Sequence, residues 1–147
     1  MDTVQWLKKT SFHYQWPQFS HIYVELSNVL HISESSNQIV FDMEFALLPK
    51  HQSAIAVAGE RYTFRKGNFT FETISSHSWR EKDEDFFTSS RACTNKGIIM
   101  YLGLDPDGYL IYGDFGYLRV KCASVDVHIA ATDTTETKGW MRAQQKL

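Results

Sequence analysis

The clearest pattern in the chain lies at Gln38–Leu47, which reads Q-I-V-F-D-M-E-F-A-L. Apolar side chains fall at Ile39, Phe41, Met43, Phe45 and Leu47. Gln38, Asp42 and Glu44 lie between them, and the small Val40 and Ala46 complete the second set. Successive side chains on a strand point to opposite faces, so this spacing predicts a strand with one buried face and an acidic outer face. A helix would place Asp42 and Glu44 among the apolar groups.

Similar runs recur. In residues 21–32, Ile22, Val24, Leu26, Leu30 and Ile32 share a face, with Asn28 as the exception. Residues 60–66 place Tyr62 and Phe64 inward and Arg61, Thr63 and Arg65 outward. Lys66-Gly67-Asn68 carries hairpin turn chemistry, so a β-hairpin is expected there, with Phe64, Phe69 and Phe71 on one face. Residues 97–104 form an apolar run that ends at the turn sequence Asp105-Pro106-Asp107-Gly108. Residues 109–112 follow, then a break at Gly113-Asp114. In residues 115–122, Leu118, Val120 and Cys122 alternate with Arg119 and Lys121. Val125, Val127 and Ile129 continue in the opposite phase, which calls for a bend or bulge near Ala123-Ser124.

Helix signals are sparse. Asp2 or Thr3 could cap a short N-terminal helix, residues 82–89 could form one or two turns, and helix formers run from Met141 to Leu147. Many short strands with turns between them predict a mainly β protein. The expected form is a single antiparallel β-sandwich or small barrel of about seven to nine strands, with short helical segments at both ends. Residues 1–19 read as an aromatic arm, 20–131 as the β domain and 132–147 as a polar tail.

Composition limits the function classes. A chain of 147 residues fits one domain with a real core. Its net charge of -2 supplies no global basic field for nucleic acid. Two cysteines, Cys93 and Cys122, exclude a disulfide scaffold and a Cys-rich zinc site, and leave one bridge between them undecided. The N-terminal residues lack a signal peptide's apolar run, and no stretch has the length of a transmembrane helix. The expected location is therefore the cytoplasm, the nucleus or a virion.

Several residue groups carry candidate chemistry, each beside a plainer alternative. Asp105, Asp107 and Asp114 alternate as calcium ligands do, but Tyr109 and Gly116 occupy the places where an EF-hand needs ligands, which leaves a Pro-Asp-Gly turn. The six histidines show no zinc spacing, and Ser76-His77-Ser78 lacks a nucleophile elbow. No metal or cofactor is expected. The acidic run from Glu81 to Asp85 precedes Phe86 and Phe87, either as a docking segment or as a loop anchored by its phenylalanines. Arg61, Arg65 and Lys66, with Arg119 and Lys121, could merge into a basic stripe for RNA or anionic lipid. The alternative is a mixed face interrupted by Glu72 and Asp126. Trp6, Leu7, Phe12, Tyr14, Trp16 and Phe19 crowd the N-terminal arm, with Lys8 and Lys9 beside the first pair. They could cover the β domain, a second copy of it, or a membrane surface.

Three functions compete. The leading one is a non-enzymatic interaction or assembly protein, of the style of viral structural or accessory matrix-like proteins. It would self-associate or bind a protein partner, and contact an anionic lipid or RNA surface. The second is a small ligand- or glycan-binding β-barrel, motivated by the aromatic content. The third is a hydrolase using scattered His, Asp and Ser, for which no catalytic motif exists in the chain.

Overall fold

The computed structural model describes residues 10–51, 62–88 and 97–130. Among them are seven strands: β1 (Ser11–Phe12), β2 (Ile22–Glu34), β3 (Gln38–Leu47), β4 (Thr63–Arg80), β5 (Gly97–Asp105), β6 (Gly108–Gly113) and β7 (Gly116–Ile129). They pair in the order β1-β5-β2-β3-β4-β7-β6, and β5 also pairs with β6. The sheet therefore closes on itself as a six-stranded antiparallel barrel, with β1 as an extra strand. Closure pairs the β6 edge along β5, backbone that an open sheet would leave exposed. The seam is at β5. There β2 contributes only Asn28↔Ile98 and Val29↔Gly97, and β1 covers the far end through Ser11↔Leu104 and Phe12↔Gly103.

The mainly β architecture is thus a barrel rather than a sandwich. Helical structure among the described residues is confined to 3-10 turns at His13–Gln15, Pro17–Phe19 and Glu84–Phe87. The expected terminal helices fall outside the described residues.

Gln38–Leu47 forms β3 over the predicted span, with Ile39, Phe41, Met43, Phe45 and Leu47 all buried. Its outer face is not simply acidic and exposed. Glu44 is buried and accepts a 3.0 Å hydrogen bond from the Asn28 amide, and Asp42 lies 3.5 Å from His31. On β2 the expected apolar face breaks. Register shifts lie between Tyr23 and Asn28 and between Val29 and His31, so Val29 is buried and Leu26 is exposed.

The hairpin expected at Lys66-Gly67-Asn68 does not form, and β4 runs unbroken through it. Gly67 is instead a close-approach position. A Cβ there would collide with the His128 carbonyl oxygen and lie 3.0 Å from the Phe45 ring. Without the turn, alternation holds through the segment, so Phe64 opposes the face of Phe69 and Phe71 while Arg65 joins it. Arg65 is accordingly buried, the reverse of its expected outward position.

The phase slip expected near Ala123-Ser124 is present: Leu118 and Val120 are buried before it and Val125 after it. Thr73 adopts φ 56°, and β4 carries one extra residue between Ile74↔Cys122 and Ser76↔Lys121. β7 itself continues as one strand past the slip.

Phenylalanine fills the barrel. Phe41 stacks on Phe69 at 4.7 Å and meets Phe71 and Phe115 edge-on. Phe19, from the second 3-10 turn, closes over Phe69 at 5.8 Å, and Phe86 packs on Phe115 at 6.1 Å. All six are buried in one contiguous core. Residues 10–19 of the arm thus belong to the barrel's own packing: Trp16 lies against Phe19 and Tyr109, and its Nε1 donates to the Ser11 hydroxyl.

Candidate functional site

The strongest surface feature is a row of aromatic rings across the outside of β1, β5, β6 and β7. Two tight turns build it. Pairing Asp105 with Gly108 fixes a register that sets Tyr101 opposite Tyr112, and pairing Gly113 with Gly116 sets Tyr112 opposite Tyr117. On the same strands Leu102, Ile111 and Leu118 are buried, so these tyrosines take the outer face. Tyr101 and Tyr112 stack at 5.3 Å with planes 5° apart, and Tyr112 and Tyr117 at 4.9 Å. Phe12 meets Tyr101 edge-on at 5.8 Å, and Tyr14 stacks on Phe12 at 5.9 Å. Gly103 leaves room for the turn of the row, because a Cβ there would lie 2.6 Å from the Tyr101 hydroxyl.

Ring orientation decides what this row can touch. Tyr101 and Tyr112 press their faces on one another, so their edges and hydroxyls are what remain for a partner. The row is a ridge, not a set of flat platforms. Its ends are the most accessible: Tyr14 is 69% exposed and Tyr117 is 43% exposed. Met100 and Ile98 on β5 and Leu26 on β2 add exposed apolar surface. Arg80 pairs with Tyr117 across β4 and β7, and Arg119 holds Asp105 through both carboxylate oxygens at 2.6 and 2.8 Å. Burial, then the Asp105 charge, pushes the Tyr101 hydroxyl above its usual pKa, so Tyr101 stays uncharged at neutral pH.

Among the described residues the basic candidates do not lie together as one stripe. Arg65 is buried, Arg119 is committed to Asp105, and Arg61 lies outside the described residues. Lys66 lies ten residues along β4 from Ser76, the partner of Lys121, which is roughly 30 Å of strand. Glu72 and Asp126 occupy the interval. Of the arm residues, Phe12 and Tyr14 enter the ridge, Trp16 supports the core, and Trp6 and Leu7 lie outside the described residues.

Other candidates resolve into local structure. The Asp105 carboxylate accepts from the Asp107 amide at 2.8 Å, and Asp114 accepts from the Ile98 amide at 2.9 Å, so these carboxylates serve their own turns. Among the described residues no group of three or more His, Cys, Asp or Glu is placed to hold a metal. The acidic run is anchored as a loop: Phe86 is buried, and Lys82 sits 4.2 Å over Phe87 while pairing with Glu34 at 2.8 Å. His31 lies 3.3 Å from the Ser33 hydroxyl and 3.5 Å from Asp42, but the same Nδ1 faces both. A Ser-His-Asp relay needs opposite ring nitrogens. His77 pairs with Glu34 at 3.2 Å, and strand alternation turns it away from Ser76 and Ser78. Cys93 lies outside the described residues. Cys122 is a free thiol, half-buried, with burial raising its pKa.

Fold and site together define a small closed β-barrel with an external aromatic ridge. The chain matches no protein-family model, and no significant match to it was found among curated proteins or solved structures. Among the described residues no helix is long and apolar enough to cross a membrane.

Proposed function

We propose that the chain is a non-enzymatic assembly protein that associates with a second copy of itself through the ridge of Tyr14, Phe12, Tyr101, Tyr112 and Tyr117. The observation that carries this is the uninterrupted contact of these five rings on the outer surface. Tyrosine suits interfaces because it offers a large rigid apolar body with a polar tip, at little cost in side-chain freedom. The exposed Met100, Ile98 and Leu26 extend the same apolar character beyond the rings. A two-fold contact would bring one ridge against another and bury both sets of edges together.

The ring geometry favours this over the glycan- or ligand-binding alternative. A sugar or a base needs an open ring face, and the central rings turn theirs toward each other. The barrel interior is packed with phenylalanine at Phe41, Phe69, Phe71 and Phe115, so a ligand there would have to displace core. The hydrolase alternative draws support only from His–carboxylate pairs such as His31–Asp42, which lack a relay geometry.

Size-exclusion chromatography with light scattering, on the full chain over a concentration series, tests the proposal. The expected result is a mass that rises toward twice the monomer and returns to the monomer in a Tyr14→Ser/Tyr117→Ser variant of unchanged circular dichroism. A wild-type chain that stays monomeric at high concentration, or a variant that associates equally well, would overturn it.

A further inference from the structure

A second surface, separate from the ridge, carries chemistry of its own. A groove of about 590 Å³ lies where the start of β2, the end of β3 and the end of β7 meet. Its lining includes His21, Lys50, His51 and His128, with Gln18 and Ser20 as neutral polar groups, and no carboxylate lines it among the described residues. The lining is thus cationic on one side of the pH scale and never anionic. A solvated protein face ordinarily interleaves both signs, as β4 and β7 do with Glu72, Asp126 and Lys121.

The backbone holds these groups together. His21 sits at φ 60°, in the left-handed region that few non-glycine residues occupy, though histidine enters it more readily than most. Its carbonyl accepts from the Leu48 amide at 2.9 Å, and the Leu48 carbonyl accepts from the His51 amide at 2.9 Å. This ties the entry to β2 to the exit from β3, and presents two imidazoles and Lys50 along one rim. β7 supplies His128 from the other side, in register with Asn68 on β4. His21, Lys50 and His128 have no side-chain hydrogen-bond or ion-pair partner among the described residues.

We propose that this groove binds a phosphate group, as a phosphomonoester on a small molecule or as a lipid headgroup. Lys50 supplies an ammonium group, and the imidazoles supply N–H donors. Phosphate monoesters fit better than simple carboxylates because they accept several hydrogen bonds at once and retain up to two negative charges near neutrality. The volume accommodates more than the bare ion, which favours a phosphorylated molecule.

The surrounding charges bear on His51. Partial burial and, after it, the nearby His21 hold the His51 imidazole below its ordinary pKa. An anion between the two relieves that repulsion, so binding raises the His51 pKa, while phosphate itself loses negative charge as pH falls. Asp126 and Lys66 flank His128 from its own strand and from β4, with opposite signs.

The experiment is an NMR titration of the histidine rings of the full chain with inorganic phosphate, at about pH 7.5 and about pH 5.5. It is paired with flotation on phosphatidylcholine vesicles with and without phosphatidic acid. The expected result is saturable shifts at His21, His51 and His128 that define an affinity for phosphate. A Lys50→Gln/His128→Gln variant of unchanged fold should lose at least most of that affinity. Phosphate binding with flotation dependent on phosphatidic acid assigns the lipid headgroup, and phosphate binding without flotation assigns a soluble phosphomonoester. Absence of saturable shifts at both pH values, or equal binding by the double variant, overturns the site.

Discussion

Individual side chains set the limits of what the fold tolerates. Phe41 contacts Phe69, Phe71 and Phe115 and is fully buried. Its replacement leaves a cavity that a closed barrel has little freedom to collapse. Phe41→Ala is expected to cost about 3–5 kcal/mol by denaturant unfolding, and a loss well under 1 kcal/mol would contradict the packing described. On the surface, Asp126 sits beside Glu72 and disfavours its charged form. The hydrogen bond to Asp126, its charge, and to a lesser degree desolvation all raise the Glu72 pKa. A raised folded-state pKa means that this group's contribution to stability is full below the ordinary carboxylate pKa and fades as pH rises through the folded value. Asp126→Asn should therefore return Glu72 to the ordinary carboxylate range in a carboxyl-carbon NMR titration. A Glu72 titration unmoved by the change would show that the two do not interact.

At the scale of elements, alternation is a reliable guide where a strand is regular and misleads where its backbone changes phase. β3 keeps one phase, so its span and buried set follow from Ile39, Phe41, Met43, Phe45 and Leu47. β2 contains two register shifts, which no residue type announces, and these move Leu26 out and Val29 in. At Gly67 the residue type was informative but ambiguous. Glycine serves a turn or a close backbone approach equally well, and the approach of β7 decides between them. The slip on β7 is legible from its side chains, but the irregularity facing it on β4, where Thr73 occupies φ 56°, is not. A β-branched residue is strained there, so Thr73→Gly is expected to leave stability unchanged or raise it by up to about 1 kcal/mol. A loss of more than about 1 kcal/mol in thermal unfolding would mean that the Thr73 side chain contributes packing that outweighs its backbone strain.

The ridge was readable in the same way, yet only with the turns in hand. The Asp-Pro-Asp-Gly turn and the Gly113-Asp114-Phe115-Gly116 turn fix two registers, and counting outward from them aligns Tyr101, Tyr112 and Tyr117. The contribution of Phe12 and Tyr14 had no such signal, because β1 joins β5 across most of the chain. The same long-range closure assembles the groove of His21, Lys50, His51 and His128 from segments more than a hundred residues apart at their extremes. Scattered histidines in the sequence carry no information about such a meeting.

For the whole molecule, β5 closes the barrel by pairing along its length with β6, while it meets β2 at only two positions. The proposed association uses side chains on the outer surface, where the ridge makes aromatic groups continuous. Salt separates this from a charge-driven contact: the ridge is built of aromatic rings, so raising ionic strength should not dissolve the assembly. The most direct measurement is sedimentation equilibrium of the full chain beside the Tyr14→Ser/Tyr117→Ser variant, at low and high salt. Assembly by the wild type in both salts, and a monomeric variant of intact fold, is the expected result. A monomeric wild type, or assembly that persists in the variant, would contradict the proposed interface.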